Sequence, residues 1–323
     1  MTLLAINARH GELRLATPGQ EPPEQALRQI LSTLPRDAPV VIMLHGMGYC
    51  PDSPGRSPHD LLYAPRAGHA RSRNISWPRR LGFALPGPRP TRGLCIGFGW
   101  PAAGTIWQAT RAADEAASML ARLVQIIRRI SPGRRVDLFG HSLGARVILG
   151  TVPLLAAGSL GRAFLLAGAD FTVSARRALT TQAGADTEFF NIITRENDLF
   201  DFLFERVHAP LGGTYALGYG VAGHANWLDI QIDSGTTRAN LARIGFPLAP
   251  PAGRVCHWSV YLRPGVFRLY RGLIHDRQRL HMGLMRETLA IPPDPRWARL
   301  LARRVGTIPS LPVLAVQSRG PVQ

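Results

Sequence analysis

The chain has 323 residues, 46% of them hydrophobic, enough to bury a sizeable core in one large α/β domain. All 38 basic residues are arginines, set against 21 acids for a formal charge of +17, and they run from Arg9 to Arg319 without gathering among aromatics or glycines. That spread argues against a nucleic-acid partner and leaves weak association with anionic membranes, or attraction of anionic substrates, as the expectation. Cys50, Cys95 and Cys256 are odd in number and far apart, which excludes a disulfide framework and paired metal ligands.

The N-terminal MTLLAINARHGELRLAT has no basic stretch leading into a long apolar run, so a cytoplasmic protein is expected. TLLAIN, ARHG and ELRLAT read as strand, turn and strand of an antiparallel hairpin. Residues 22–34 open on prolines and carry apolar residues at helical spacing. VVIMLHG (40–46) and GLCIGFGW (93–100) are buried strands, and Ile106, Ala109, Ala113, Ala116 and Leu120 mark a long helix over 105–130. VDLFG, AFLLAGAD (163–170), EFFNIIT (188–194) and WLDIQID (227–233) follow as strands, with a closing helix over 265–275. The longest apolar region, 147–171, is broken by Pro153 and Arg162 and is no membrane span. Short apolar strands alternating with helices imply a mostly parallel sheet covered on both faces. Residues 1–291 read as one such domain, with a Pro-, Arg- and His-rich insertion at about 48–92 that is expected to govern substrate choice. Residues 292–323 form a Pro- and Arg-rich tail, an extended wrap or a loose end.

The chemistry centres on GHSLG (140–144), between the apolar strand VDLF and the apolar run ARVIL. A strand–GxSxG–helix turn lifts a serine above the edge of a sheet, its flanks too tight for side chains, with a helix N-terminus aimed at developing negative charge. Ser142 is therefore the candidate nucleophile; the alternative is a structural serine in a tight turn. Small residues after the strand VVIML, in His45-Gly46-Met47-Gly48, let the Met47 amide join that of Leu143 as oxyanion donors. There the alternative is a glycine turn with His45 packed in the core.

A serine needs a base, and the base an orienting acid, in the chain order Ser, Asp or Glu, His. Asp170 ends the strand beside the nucleophile's, one strand too early. Asp198 follows EFFNIIT and is the better-placed acid, while Asp201 reads as a surface charge of the next helix. Among late histidines, His257 follows the last strand and precedes a helix, on the expected edge. His208 also falls late in the chain, His224 precedes that strand, His275 lies in a helical pattern and His281 beyond it.

Together, HGMG, FGWPAAG (98–104), DLFGHSLG, TRENDLF and LDIQID followed by CHWSVY resemble the α/β-hydrolase superfamily. The likeness spans roughly residues 38–275 and is nearest to a bacterial family of uncharacterised α/β-hydrolases with a Trp-Pro element before the nucleophile. The resemblance implies Ser142, Asp198 and His257 as nucleophile, acid and base, Leu143 and Met47 as oxyanion donors, and hydrolysis of a small ester through an acyl-enzyme. Acyl transfer or lipase action would use the same residues, and a non-catalytic binding or scaffold protein is the rival from another class. No metal-ligating cluster or dinucleotide loop emerges, so no cofactor is expected.

Overall fold

A computed structural model describes residues 3–17, 21–65, 74–83, 93–209 and 211–301. The strands are β1 (Leu3–Arg9), β2 (Glu12–Leu15), β3 (Val40–Leu44), β4 (Leu94–Gly99), β5 (Val136–His141), β6 (Leu160–Leu166), β7 (Glu188–Ile193) and β8 (Trp227–Gln231). They form one sheet in the order β2-β1-β4-β3-β5-β6-β7-β8. β1 and β2 pair antiparallel, as the hairpin reading expects; every other neighbouring pair is parallel. The first helices are α1 (Pro23–Thr33), α2 (Pro58–Leu61), α3 (Trp77–Arg80), α4 (Ile106–Ile130), α5 (Leu143–Thr151) and α6 (Thr172–Leu179). After them come α7 (Gln182–Ala185), α8 (Asp198–His208), α9 (Gly235–Arg243), α10 (Ser259–Leu262), α11 (Val266–His275), α12 (Met282–Leu289) and α13 (Ala298–Leu301).

Each central strand is apolar on both faces, and its alternate residues feed two separate cores. Val40, Ile42 and Leu44 of β3 pack with α1, α4, α5 and α6. Val41 and Met43 point the other way, into a core closed by Trp77 of α3, Leu241 of α9, α11 and α12. The long helix α4 begins where Thr105 and Gln108 cap each other reciprocally, and its alanine face lets α5 come close. A Cβ on Gly150 would lie 3.0 Å from Ala117 Cβ, and Thr151 Oγ1 donates to the Ala117 carbonyl.

Arg162, which interrupts the longest apolar region, is buried inside β6. Its Nε donates to Glu188 at 2.6 Å, and its other nitrogens reach the carbonyls of Leu273 and Leu280, tying α11 and the segment after it to the sheet. Among the described residues no helix is long and apolar enough to cross a membrane.

The described parts of the insertion contribute large side chains to the core. Tyr63 lies against Gly97 of β4, and Trp77 is fully buried edge-on to Phe139 and Tyr261. Residues 66–73 and 84–92 lie outside the described residues. Residues 292–301 run as a wrap along the sheet edge: Asp294 exchanges hydrogen bonds with Gln231, Arg296 pairs with Glu205, and Arg299 with Asp233. The remainder of the tail, 302–323, lies outside the described residues.

Candidate active site

Ser142 sits between β5 and α5 with φ 56° and ψ −122°, a conformation costing about 1–3 kcal/mol for a residue with a side chain. The surroundings enforce it. The Ser142 amide donates to Leu166 O of β6, and its carbonyl accepts from the amides of Ala145 and Ala169. A Cβ on Gly140 would come within 2.7 Å of the Gly144 backbone, and one on Gly144 within 2.5 Å of Leu44 O, so α5 can start this close to β3 only with glycine at both places. Leu143 is the first residue of α5, so its amide has no intrahelical acceptor.

The loop after β3 is equally tight. A Cβ on Gly46 would stand 2.8 Å from Ser142 Cβ and 3.3 Å from its Oγ. His45 is a core residue: Nδ1 bonds the Gly46 carbonyl at 2.9 Å, Nε2 accepts from the Trp100 amide at 3.2 Å, and the two rings stack. One partner only accepts and the other only donates, so the imidazole is neutral, and burial lowers its pKa to about 3. Trp100 of the Trp-Pro element thus packs against the loop after β3 from behind. Met47, the next residue, is 40% exposed at the rim.

His257, between β8 and α10, shares a cavity with Ser142. Phe200 stacks on it with ring centroids 4.8 Å apart, and His141 lies at 4.6 Å on a tilted ring and bonds the His257 carbonyl through Nε2. Burial, aided by the neighbouring His141, holds the His257 pKa well below the usual histidine range. Burial also takes His141 down to about 4.

The structure does not bring Asp198 to the imidazole. His257 Nδ1 bonds Asn197 Oδ1 at 2.6 Å; the group against the imidazole is Asn197, and Asp198 is elsewhere. Asp198, fully buried, has one oxygen on Arg195 Nη1 at 3.0 Å and the other accepting the Trp297 amide at 2.7 Å. The chain turns through a short 3-10 segment, Arg195–Asn197, before α8, and this aims residue 197 at His257 and swings 198 toward the wrap. Asp201 is no surface charge either. It is 5% exposed, and its Oδ1 accepts from Asn197 Nδ2 at 2.9 Å. Burial lifts its pKa to about 7, against the pull of Arg195 and Arg296. The result is a buried series, His257–Asn197–Asp201, one helical turn deep.

The remaining candidates have structural partners. Asp170 accepts from Phe171 N, Ser174 Oγ and Arg146 at the start of α6. His208 bonds Thr110, His275 the Leu81 carbonyl, and His281 caps α12 by accepting from Leu284 N. The carbonyl of His224 accepts from Arg286.

The cavity holds about 410 Å³. Gly46, Met47, Ser142 and His257 line one side, and Ile106, Tyr49 and Trp258 contribute to its walls. Phe200, Leu203, Phe204 and Val207 of α8, at helical spacing, lay one apolar stripe along it. Trp77 and Phe98 are fully buried core residues outside this lining, and Trp107 is exposed. Of the insertion, only Tyr49 reaches the cavity among the described residues.

Residues 82–177 match a family model described as an alpha/beta hydrolase of unknown function (DUF900). The matched stretch runs from the insertion through the elbow to α6, and the sheet order and helical layers around it agree. The chain has the α/β-hydrolase fold. No curated protein matches it. On this α/β-hydrolase fold the signal for Asn197 lies in the sequence itself, in the polar pair Asn197-Asp198, but spacing could not say which of the two faces His257.

Proposed function

We propose that this protein is a serine hydrolase that cleaves carboxylic esters with an apolar acyl group. The observation that carries the reading is Ser142, held in its strained turn, opening on the same cavity as an imidazole whose far nitrogen is held by Asn197. An amide oxygen only accepts, so the proton of a neutral His257 sits on Nδ1 and Nε2 is bare. In the reaction Ser142 Oγ attacks the acyl carbon as His257 Nε2 takes its proton. The imidazolium then gives that proton to the departing alcohol, and a water, activated by the same nitrogen, resolves the acyl-enzyme. The amides of Leu143 and Met47 receive the oxyanion, the first of them at a helix N-terminus. The apolar stripe of α8 takes the acyl chain.

Asn197 orients the base through a dipole where a carboxylate would supply a full charge; the Asp201 carboxylate stands one hydrogen bond further out. This is the observation that favours a second reading, a fold kept for binding alone. A series of aryl esters of increasing acyl length decides between them. The expected result is turnover that rises with chain length while the chain fits the cavity and that disappears in Ser142→Ala. Turnover retained in that variant, or none in the wild type, contradicts the hydrolase reading.

A further inference from the structure

A second, larger cavity of about 740 Å³ adjoins the first, and Tyr261 borders both. Its lining includes five arginines, Arg79, Arg80, Arg263, Arg268 and Arg271, and no acidic residue. Arg263 is buried and neutralised by Glu196. Among the described residues the other four form no ion pair. They converge from two elements: Arg79 and Arg80 end α3, and Arg268 and Arg271 lie three residues apart on one face of α11. Several arginines elsewhere are matched to carboxylates, as Arg146 is to Asp114 and Arg162 to Glu188. Four unmatched like charges in one concavity repel each other, and an anion relieves that repulsion. The planar guanidinium fork suits the oxygens of a phosphoryl group two at a time. Ile75 and Phe267 add apolar surface beside the charges.

We propose that the cavity between α3 and α11 binds the phosphoryl group of a phosphate-bearing ligand, with Arg79, Arg80, Arg268 and Arg271 as its donors. The ligand is either a soluble phosphate ester or the headgroup of an anionic lipid; both present the same oxygens. The site stands apart from the chemistry at Ser142, so its occupancy is measurable whether or not the protein turns over esters.

The test is calorimetric titration of the full chain with inorganic pyrophosphate at low and high salt, repeated on Arg268→Gln/Arg271→Gln. Glutamine keeps much of the aliphatic stem, which matters because Arg271 packs against Gly82. Arg176→Gln/Arg177→Gln, an exposed pair on α6, removes the same charge elsewhere. The expected result is one saturable site, weakened about tenfold or more in the α11 variant and less than about twofold in the α6 control. Sedimentation with phosphatidylcholine vesicles, with and without phosphatidate, assigns the source. Phosphatidate-dependent pelleting lost only in the α11 variant points to a headgroup, whereas pyrophosphate binding without pelleting points to a soluble ligand. No saturable binding, or equal weakening in both variants, overturns the proposal in favour of diffuse attraction to a +17 chain.

Discussion

Two turns on one sheet edge build the candidate site, and they are specified in different ways. The β5–α5 turn is held through main-chain atoms: glycines at 140 and 144 that let α5 approach β3, a positive φ at Ser142, and three main-chain hydrogen bonds, two of them to Leu166 and Ala169 beside it. The β7–α8 turn is held from outside. Arg195 anchors on Asp198 and the Gly218 carbonyl, Asp198 on the Trp297 amide, and Asn197 on Asp201 and His257. Residue 297 is about a hundred positions away in the chain, so the rotation of this turn is a tertiary outcome. A turn marked by glycine spacing is legible in one dimension; a turn aimed by side chains from distant segments is not.

The comparison is broken most severely at its first half. Ser142→Ala and His257→Ala should each lower kcat/KM for esters by about 10⁴-fold or more, measured against a matched ester, because the two groups act as a unit. Next is the orienting residue. Asn197→Ala frees the imidazole to rotate and change tautomer, at an expected cost of about 10²- to 10³-fold in kcat with little change in KM. Asn197→Asp is the sharper variant: a carboxylate beside Nδ1 raises the His257 pKa, so the acid limb of the pH–rate profile moves to higher pH. An unmoved limb would place Asn197 outside the working site.

Asp198→Asn divides the two residues. It leaves Arg195 without its buried partner charge, so stability should fall by about 2 kcal/mol in a denaturant melt while kcat changes less than about threefold. The reverse pattern, a large loss of kcat with stability kept, would return Asp198 to the acid's place.

The sheet was readable from the chain strand by strand, whereas α6, α9 and α12 were not. The hairpin, the core strands and α4 follow from periodicity and from the Thr105 cap, and the elbow from glycine spacing. What the chain hid were side-chain rotations. The exchange of Asn197 for Asp198 is one residue of helical rotation, about 100°, which sequence spacing does not resolve. The burial of Asp201 depends on the close approach of Gly218, whose Cβ would overlap its carboxylate. Trp77 and Tyr63 of the insertion belong to the core, although their surroundings in the sequence are those of a loop.

A further expectation concerns stability against pH, whose direction the buried histidines set. Burial depresses the pKa of His45 to about 3, of His59 and His141 to about 4, and of His257 well below its ordinary value. The unfolded chain therefore takes up protons below about pH 6.5 that the native state refuses, and stability is lost as pH falls from there toward about 4. Asp201 acts in the opposite sense: its native pKa of about 7 favours the folded state as pH falls through 7, and burial shifts Asp170, Asp198 and Asp229 upward in the same sense, while His208 and His275 are lowered with the other histidines. Thermal melts should show a midpoint flat above neutrality and declining below about 6.5.

The most direct measurement is intact-mass detection of a fluorophosphonate adduct on the wild type and on Ser142→Ala, His257→Ala, Asn197→Ala and Asp198→Asn. The account predicts one adduct on the wild type, none on the first two variants, slowed labelling for Asn197→Ala and near-normal labelling for Asp198→Asn. No adduct on folded wild type, or labelling that survives Ser142→Ala, would contradict an assembled nucleophile at the elbow.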